Sequence, residues 1–341
     1  MERPYVSLIV PVLDEEATIA ACLAALSDQT YPKERLEIIV ADGGSRDATR
    51  RIVSEIAGGD TRIRLVDNPG RNTAAGLNVG LQQSGGSIVG MINGHSVPSH
   101  DYVERAVEAL DRTGAWAVGG IIERAGRNSV QRAIARATGS PFGVGNSTYN
   151  YARTGMYVEA VFPGMWPRWV FDSVGIFDPE MLRNEDNELS HRIRQAGGTI
   201  WYEPSVRVMY VPRDTWRGVA TQYHAYAVGK ILVFRKHRSA IRWRHLAPAG
   251  LVVGLPAGIL AGFLDRRLWL VTLAAATAYV AVLSISARRM RQEGDSTLRI
   301  LFAMLLIHQA YGLGTLEGLL RFSSGWLRRP QSGPTAPGES T

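Results

Sequence analysis

Val6-Ser-Leu-Ile-Val-Pro-Val-Leu-Asp-Glu-Glu16, followed after one helical pattern by Leu36-Glu-Ile-Ile-Val-Ala-Asp-Gly-Gly-Ser-Arg-Asp-Ala-Thr49, decides the fold. Both are unbroken runs rich in β-branched residues that end in acid and glycine and then open a helix. That is the pattern of a parallel strand buried on both faces. The alternation continues: strands are expected at Val6–Val12, Leu36–Ala41, Arg64–Val66 and Ile88–Ile92, with helices at Ala17–Leu26, Ala48–Ile56 and Ala74–Gln82 between them. In such α/β sheets the ligand lies beyond the carboxyl ends of the strands, so the residues just after each strand carry the information. Asp14 to Glu16 follow the first strand, where they also complement the dipole of the next helix. Asp42 ends the second strand before two glycines that admit close backbone approach, and it can accept from a base imide or a ribose hydroxyl; Asp47 reads as a cap. No Gly-x-Gly-x-x-Gly follows the first strand and no phosphate loop ends in Gly-Lys-Ser/Thr, which disfavours a dinucleotide fold and a P-loop enzyme.

The remainder of the chain has a different composition. Leu246–Leu264, Leu268–Ala287 and Ile300–Leu320 are apolar stretches of about 20 residues, near the length that crosses a hydrocarbon core. The third carries His308, Glu317 and several glycines and reads either as a span or as a tilted or re-entrant segment. Arg235 to His245 holds five Lys and Arg residues and no acid directly before the first stretch, a placement suited to anionic headgroups and to retention on the cytoplasmic side. The formal charge of +7 is concentrated there instead of interleaving with aromatics on a polar domain, which argues against a nucleic-acid binder. Cys22 is the single cysteine, so an intrachain disulfide is impossible. The N-terminal apolar run, interrupted by Asp14-Glu-Glu16, does not read as a signal peptide. The Pro-, Gly- and Ser-rich tail after Arg329 is expected to lack structure.

Read together, the strand-end motifs resemble glycosyltransferase family 2, whose catalytic domain has the GT-A fold. Asn68-Pro-Gly-Arg-Asn-Thr-Ala-Ala-Gly-Leu-Asn78, Phe142-Gly-Val-Gly-Asn146, Arg183-Asn-Glu-Asp-Asn-Glu188 and His308-Gln-Ala-Tyr-Gly-Leu-Gly314 resemble its succinoglycan-biosynthesis branch. The fold class implied is α/β, a GT-A nucleotide-diphospho-sugar transferase domain over residues 1–235. A basic juxtamembrane segment with two or three transmembrane helices would follow over 236–327, and then a tail over 328–341.

Inverting members of this family transfer a sugar by one displacement: a carboxylate takes the proton of the acceptor hydroxyl while positive charge receives the departing diphosphate. The resemblance places the base in Glu185-Asp186, with Asp186 as the base and Glu185 beside it or orienting the acceptor. Pro11, Asp14, Glu15, Asp42, Arg71 and Asn93 are expected at the donor. Glu188, Gln222, Tyr226 and Lys230 are expected at the acceptor or diphosphate; the last three lie where related synthases carry a Gln-x-x-Arg-Trp element. The family's metal motif falls on Asn93-Gly-His95, where His95 fits as an imidazole ligand of Mg²⁺ or Mn²⁺ and Asn93 replaces a carboxylate, so weak metal binding is expected. Phe142, Tyr149, Tyr151, Tyr157 and Phe162-Pro-Gly-Met-Trp-Pro-Arg168 are expected around the sugar pocket, either stacking on a pyranose or packing. Trp201-Tyr-Glu-Pro204 reads as a closing strand and turn.

The implied activity is transfer from a nucleotide sugar, UDP-glucose first, to a lipid-linked glycan or polysaccharide acceptor, within a possible polysaccharide synthesis complex. The enzyme would be a multi-pass protein of the cell membrane with its catalytic domain in the cytoplasm. Two other readings stand beside this one: glycosyl transfer to polyprenyl phosphate itself, and a catalytically weak nucleotide-sugar-binding component.

Overall fold

The computed structural model describes residues 3–144, 152–240 and 242–323. Asn146, Tyr149, Tyr151 and the Pro-rich tail lie outside the described residues. The first elements are β1 (Val6–Val12), α1 (Ile19–Ser27), β2 (Leu36–Asp42), α2 (Thr49–Gly59), β3 (Ile63–Asp67), α3 (Thr73–Gln83) and β4 (Ile88–Met91), in the order and nearly at the boundaries the pattern predicts. Next come β5 (Ser96–Pro98), α4 (Tyr102–Thr113), β6 (Ala117–Arg124), α5 (Ser129–Thr138), α6 (Pro141–Val144), β7 (Met156–Tyr157), β8 (Gly164–Pro167), α7 (Trp169–Val174), α8 (Glu185–Gln195), β9 (Ile200–Tyr210) and α9 (Trp216–Lys236). The chain continues as α10 (Trp243–Ala261), α11 (Arg266–Met290) and α12 (Thr297–Arg321).

The strands form one mixed sheet in the order β3-β2-β1-β4-β8-β6-β9-β5, with β7 paired to β9. Strands β1 to β4 are parallel, and β8 runs antiparallel to both β4 and β6. Both faces are covered, which is why β1 and β2 are apolar throughout. Val6, Leu8, Val10 and Val12 pack with α1 and α4 on one face, while Ile9, Val89 and Met91 pack with α3 and α8 on the other. Pro11 lies inside β1, yet costs no hydrogen bond. Pairing with β4 ends where Ile92 N–H donates to the Ile9 carbonyl (3.0 Å), and Pro11, two residues on, faces the same side with no strand opposite. The early end of β4 leaves the top of β1 open on that side, where the loops after β1, β2 and β4 gather.

Strand β9 corrects the reading of Trp201–Pro204 as a strand closed by a turn. It runs through Pro204 to Tyr210, because a bulge opposite Gly120 and Ile121 absorbs residues 204–206 and leaves the proline outside the ladder. Trp166 also departs from a sugar-facing role. It is buried against Phe171 and Phe177 (ring centroids 5.9 and 5.7 Å), and Phe162 packs on the same cluster. Arg168 donates to the carbonyls of Gly86, Leu81 and Ser84, tying α7 to the end of α3. Tyr157 is exposed, edge-on to Trp201 at 5.0 Å.

Among the described residues, α11 and α12 are long and apolar enough to cross a membrane. The helix over the first apolar stretch is displaced towards the N-terminus: α10 contains Pro248 and Pro256 and ends at Ala261, before the expected Leu264. The third is one continuous helix without a re-entrant break. Helix α12 packs on α9, where a Cβ at Gly314 would lie 2.3 Å from the His224 carbonyl oxygen and one at Gly318 2.9 Å from Ile231 Cβ. Part of the basic cluster is engaged by the catalytic domain: Lys236 pairs with Asp178 and Glu180, His237 with Glu188 (2.8 Å) and Arg242 with Glu159 (3.0 Å).

Asn78 fastens the loop before α8. Its buried amide donates to the Phe177 carbonyl (2.7 Å) and accepts from the Phe177 N–H (3.0 Å). Asn78→Ala would leave both backbone groups buried and unpaired. It should destabilise the folded chain by on the order of 2 kcal/mol in denaturant unfolding, whereas unchanged stability would mean that water or a shifted loop replaces the amide.

Candidate active site

Three loops converge beyond β1, β2 and β4. The first two are laced together: Asp14 accepts from Arg46 N–H (2.7 Å), Glu15 N–H donates to Thr49 Oγ1 (2.8 Å), and Glu16 exchanges bonds with Asp47 and Ala48. Asp14 adopts a left-handed backbone, φ 53°, to make this turn. Asp42 is at the centre of the second loop with its side chain wholly buried. Burial pushes its pKa up, but hydrogen bonds from Ser45, Arg50 and the backbone N–H groups of Ser45 and Gly44 outweigh this and hold the carboxyl below its usual range. A direct donor contact to Asp42 therefore requires the loop to open. Arg71, at φ 57°, stands over the Gly43-Gly44 turn with its own side chain exposed.

The third loop carries Asn93 and His95. His95 Nδ1 meets Glu15 Oε1 at 2.7 Å, and Glu15 also accepts from Thr18. Burial would raise the Glu15 pKa, but His95, Thr18 and the nearby Arg213 overcome it and keep the group ionised. An ionised carboxylate can only accept, so His95 Nδ1 donates to it, and in the neutral ring Nε2 is then the nitrogen left for a cation, as when a carboxylate orients a metal-binding imidazole. No group of three or more His, Cys, Asp or Glu gathers around a metal position among the described residues. His95 Nε2 and the Asn93 amide oxygen suit a cation whose remaining ligands are phosphate oxygens and water.

From His95 a chain of contacts crosses to α8. Ser96 pairs with Tyr210 where β5 meets β9, which sets the His95 and Tyr210 rings edge to face at 5.4 Å. Gln222 Nε2 then donates to the hydroxyls of Tyr210 and Tyr226, both at 2.9 Å. Gln222, Tyr226 and Lys230 fall at four-residue spacing, so they line one face of α9. The Tyr226 carbonyl accepts from Asn184 Nδ2 (3.0 Å), and Lys230 Nζ donates to Asn187 Oδ1 (2.9 Å). Asn184 therefore does not cap α8 with its side chain, as its position suggests; it takes a left-handed backbone, φ 65°, and reaches across to α9.

Glu185 and Asp186 open α8, and both are buried. Burial and the adjacent Asp186 carboxylate raise the Glu185 pKa to about 7. Burial raises that of Asp186 as well, opposed by hydrogen bonds from Asn187 and by the Lys230 charge. A buried carboxylate with an elevated pKa is suited to proton abstraction near neutral pH. Glu188, one turn on, is satisfied by other partners. It accepts from Arg192 Nε (2.9 Å), Arg192 Nη2 (2.7 Å) and His237 (2.8 Å), and so pins α8 to the end of α9.

The Glycosyl transferase family 2 model matches residues 7–165. Succinoglycan biosynthesis protein ExoA of Rhizobium meliloti is 31% identical over 243 residues, covering 71% of this chain and 73% of that protein. The chain belongs to glycosyltransferase family 2. A Methanococcus voltae enzyme named dolichyl N-acetyl-alpha-D-glucosaminyl phosphate 3-beta-D-2,3-diacetamido-2,3-dideoxy-beta-D-glucuronosyltransferase is 26% identical, covering 94% of this chain and 98% of that one. Mannosyltransferase PcManGT from Pyrobaculum calidifontis, solved with GDP-Man and Mn²⁺, superposes with a TM-score of 0.62 at 20% identity over 93% of this chain and 88% of that one. The family 2 chain thus has the GT-A-like α/β fold and is a glycosyltransferase.

Tyr210 and Asn187 were not identified from sequence. Tyr210 ends a strand far from every motif, and Asn187 stands inside one whose acids drew the reading. Burial alone would raise the Glu188 pKa, but His237 and Arg192 bring it from the ordinary 4.5 down to about 2. A depressed carboxylate pKa stabilises the fold above its unfolded value and loses that contribution as pH falls through the folded one. Acid titration of the wild type should therefore show a loss on the order of 3 kcal/mol between about pH 4.5 and about 2. Glu188→Gln should lack that component and be less stable at neutral pH; an identical acid profile in the two proteins would contradict the pairing.

Proposed function

We propose that this glycosyltransferase moves a sugar from a nucleoside-diphosphate donor, UDP-glucose first, to a hydroxyl of a lipid-linked glycan with inversion at the anomeric carbon. The observation that carries the reading is the juxtaposition, along one face of α9, of the strand-end loops with the buried Glu185–Asp186 pair. The nucleotide would lie over β1 and β2, against Pro11, Asp14 and the Gly43-Gly44 turn, with Arg71 and Arg213 near its phosphates. Asp186 takes the acceptor proton, the acceptor oxygen bonds to the anomeric carbon, and the bond from that carbon to the diphosphate breaks as the nucleoside diphosphate departs. Glu185 orients the acceptor hydroxyl. His95 Nε2 and Asn93 would hold a Mg²⁺ or Mn²⁺, which would supply positive charge to the diphosphate when bound.

A sugar already carried on a lipid is the preferred acceptor, supported by the Methanococcus relative, whose name describes transfer to a dolichyl-phosphate-linked N-acetylglucosamine. Helices α11 and α12 would anchor the enzyme in the cell membrane with the catalytic domain in the cytoplasm, where nucleotide sugars are made. One observation favours a weaker role as a nucleotide-sugar-binding component of a synthesis complex: both protein ligands offered to the metal are neutral.

The test is mass spectrometry of products from the purified full chain, given a panel of nucleotide sugars with either polyprenyl phosphate or a polyprenyl-diphosphate-linked sugar. One added sugar on the lipid-linked sugar is expected, abolished by EDTA and restored only at high Mg²⁺ or Mn²⁺. Transfer to polyprenyl phosphate alone would select the other enzymatic reading, and no transfer to any acceptor would favour the non-catalytic one. Full activity in EDTA would remove the metal and leave the arginines to neutralise the leaving group.

A further inference from the structure

Two adjacent carboxylates buried at the start of α8 compete for one charge, since ionising both at short range in a dry site is costly. Their contacts differ. Among the described residues no side chain donates a hydrogen bond to Glu185, whereas Asn187 Nδ2 reaches both oxygens of Asp186, at 3.2 and 3.3 Å. The orientation of that amide follows from its other end. Lys230 Nζ donates to Asn187 at 2.9 Å, and an ammonium can only donate, so the atom it meets is the carbonyl oxygen and the NH₂ must face Asp186. An NH₂ group so placed favours the ionised carboxylate.

We infer that Lys230 and Asn187 are positioning residues that select Asp186 as the ionised member of the pair, and that Lys230 is not a ligand of the leaving diphosphate. This rests on the transfer reading above. The place of Lys230 on α9 supports it. Gln222, which bonds Tyr210 next to His95, is eight residues earlier on the same face, about 12 Å along the helix axis. The diphosphate end of the site is therefore at Gln222, and the proton-abstracting end at Lys230. The charged and titratable groups acting on the pair are Arg183 in the preceding turn, Lys230 on α9 and the two carboxylates themselves; His191, one turn along α8, feels Lys230, His237 and Glu188.

Steady-state kinetics of the full chain across pH, with binding of the product nucleoside diphosphate, separate the two roles of Lys230. Lys230→Met should lower kcat by about ten- to a hundredfold, leave donor KM and nucleoside diphosphate affinity within about twofold, and move the acidic limb of kcat/KM to higher pH, because the charge that favours ionised Asp186 is gone. Asn187→Ser, at a half-exposed position, should move the limb the same way, and Lys230→Arg should restore part of kcat. An unmoved acidic limb with weakened nucleoside diphosphate binding in Lys230→Met would overturn the inference and return Lys230 to the diphosphate. So would an unmoved limb in Asn187→Ser. An inactive wild type would overturn the transfer reading, and this inference with it.

Discussion

At Gly229 a Cβ would lie 2.8 Å from Asn184 Nδ2 and 3.0 Å from the Arg183 carbonyl oxygen, so α9 presses onto the turn before α8 only because that position has no side chain. The approach sets the rest of the site. It brings the Tyr226 carbonyl within reach of Asn184 and Lys230 within reach of Asn187, and it leaves Gln222 at the other end of the stripe to hold Tyr210 beside His95. One helix therefore spaces the strand-end loops from the carboxylate pair. The same helix is buttressed on another face by α12, through a second close approach at Gly314 and Gly318, so the apolar C-terminal region and the catalytic geometry share a structural member.

The acids of the Arg183–Glu188 motif divide into two kinds. Glu188 is satisfied by Arg192 and His237 and works as an anchor, whereas Glu185 and Asp186 are buried with few donors and are held at raised pKa. In the proposed reaction, burial that costs stability at the pair would equip it to take a proton, with the anchor one turn on keeping the start of α8 in place. The strand-end loops follow the opposite rule. Asp42 and Glu15 are richly hydrogen-bonded and ionised, and they act by shaping backbone and by orienting His95.

Strands β1, β2 and β4 were legible almost to the residue, because a parallel strand covered on both faces must be apolar throughout and its terminating acids and glycines are local signals. Family membership was legible for the same reason, in contiguous motifs. What was not legible depends on partners distant in sequence. The Lys230–Asn187 bond joins residues 43 positions apart. The partner of Glu188, His237, lies beyond the end of α9, and the choice between stacking and packing for Trp166 depends on aromatic partners that follow it on α7 and the next loop. Pro204 read as a turn because a bulge on β9 is set by Gly120 on a neighbouring strand, which nothing near the proline reveals.

The central claim is that Asp186, not Glu185, removes the acceptor proton. It is tested most directly by comparing turnover of Asp186→Asn and Glu185→Gln in the full chain, with nucleoside diphosphate binding measured on each to confirm an intact donor site. The account predicts that Asp186→Asn lowers kcat by about 10² to 10⁴-fold with donor affinity nearly unchanged, and that Glu185→Gln costs much less. Substantial turnover in Asp186→Asn together with its loss in Glu185→Gln would contradict it.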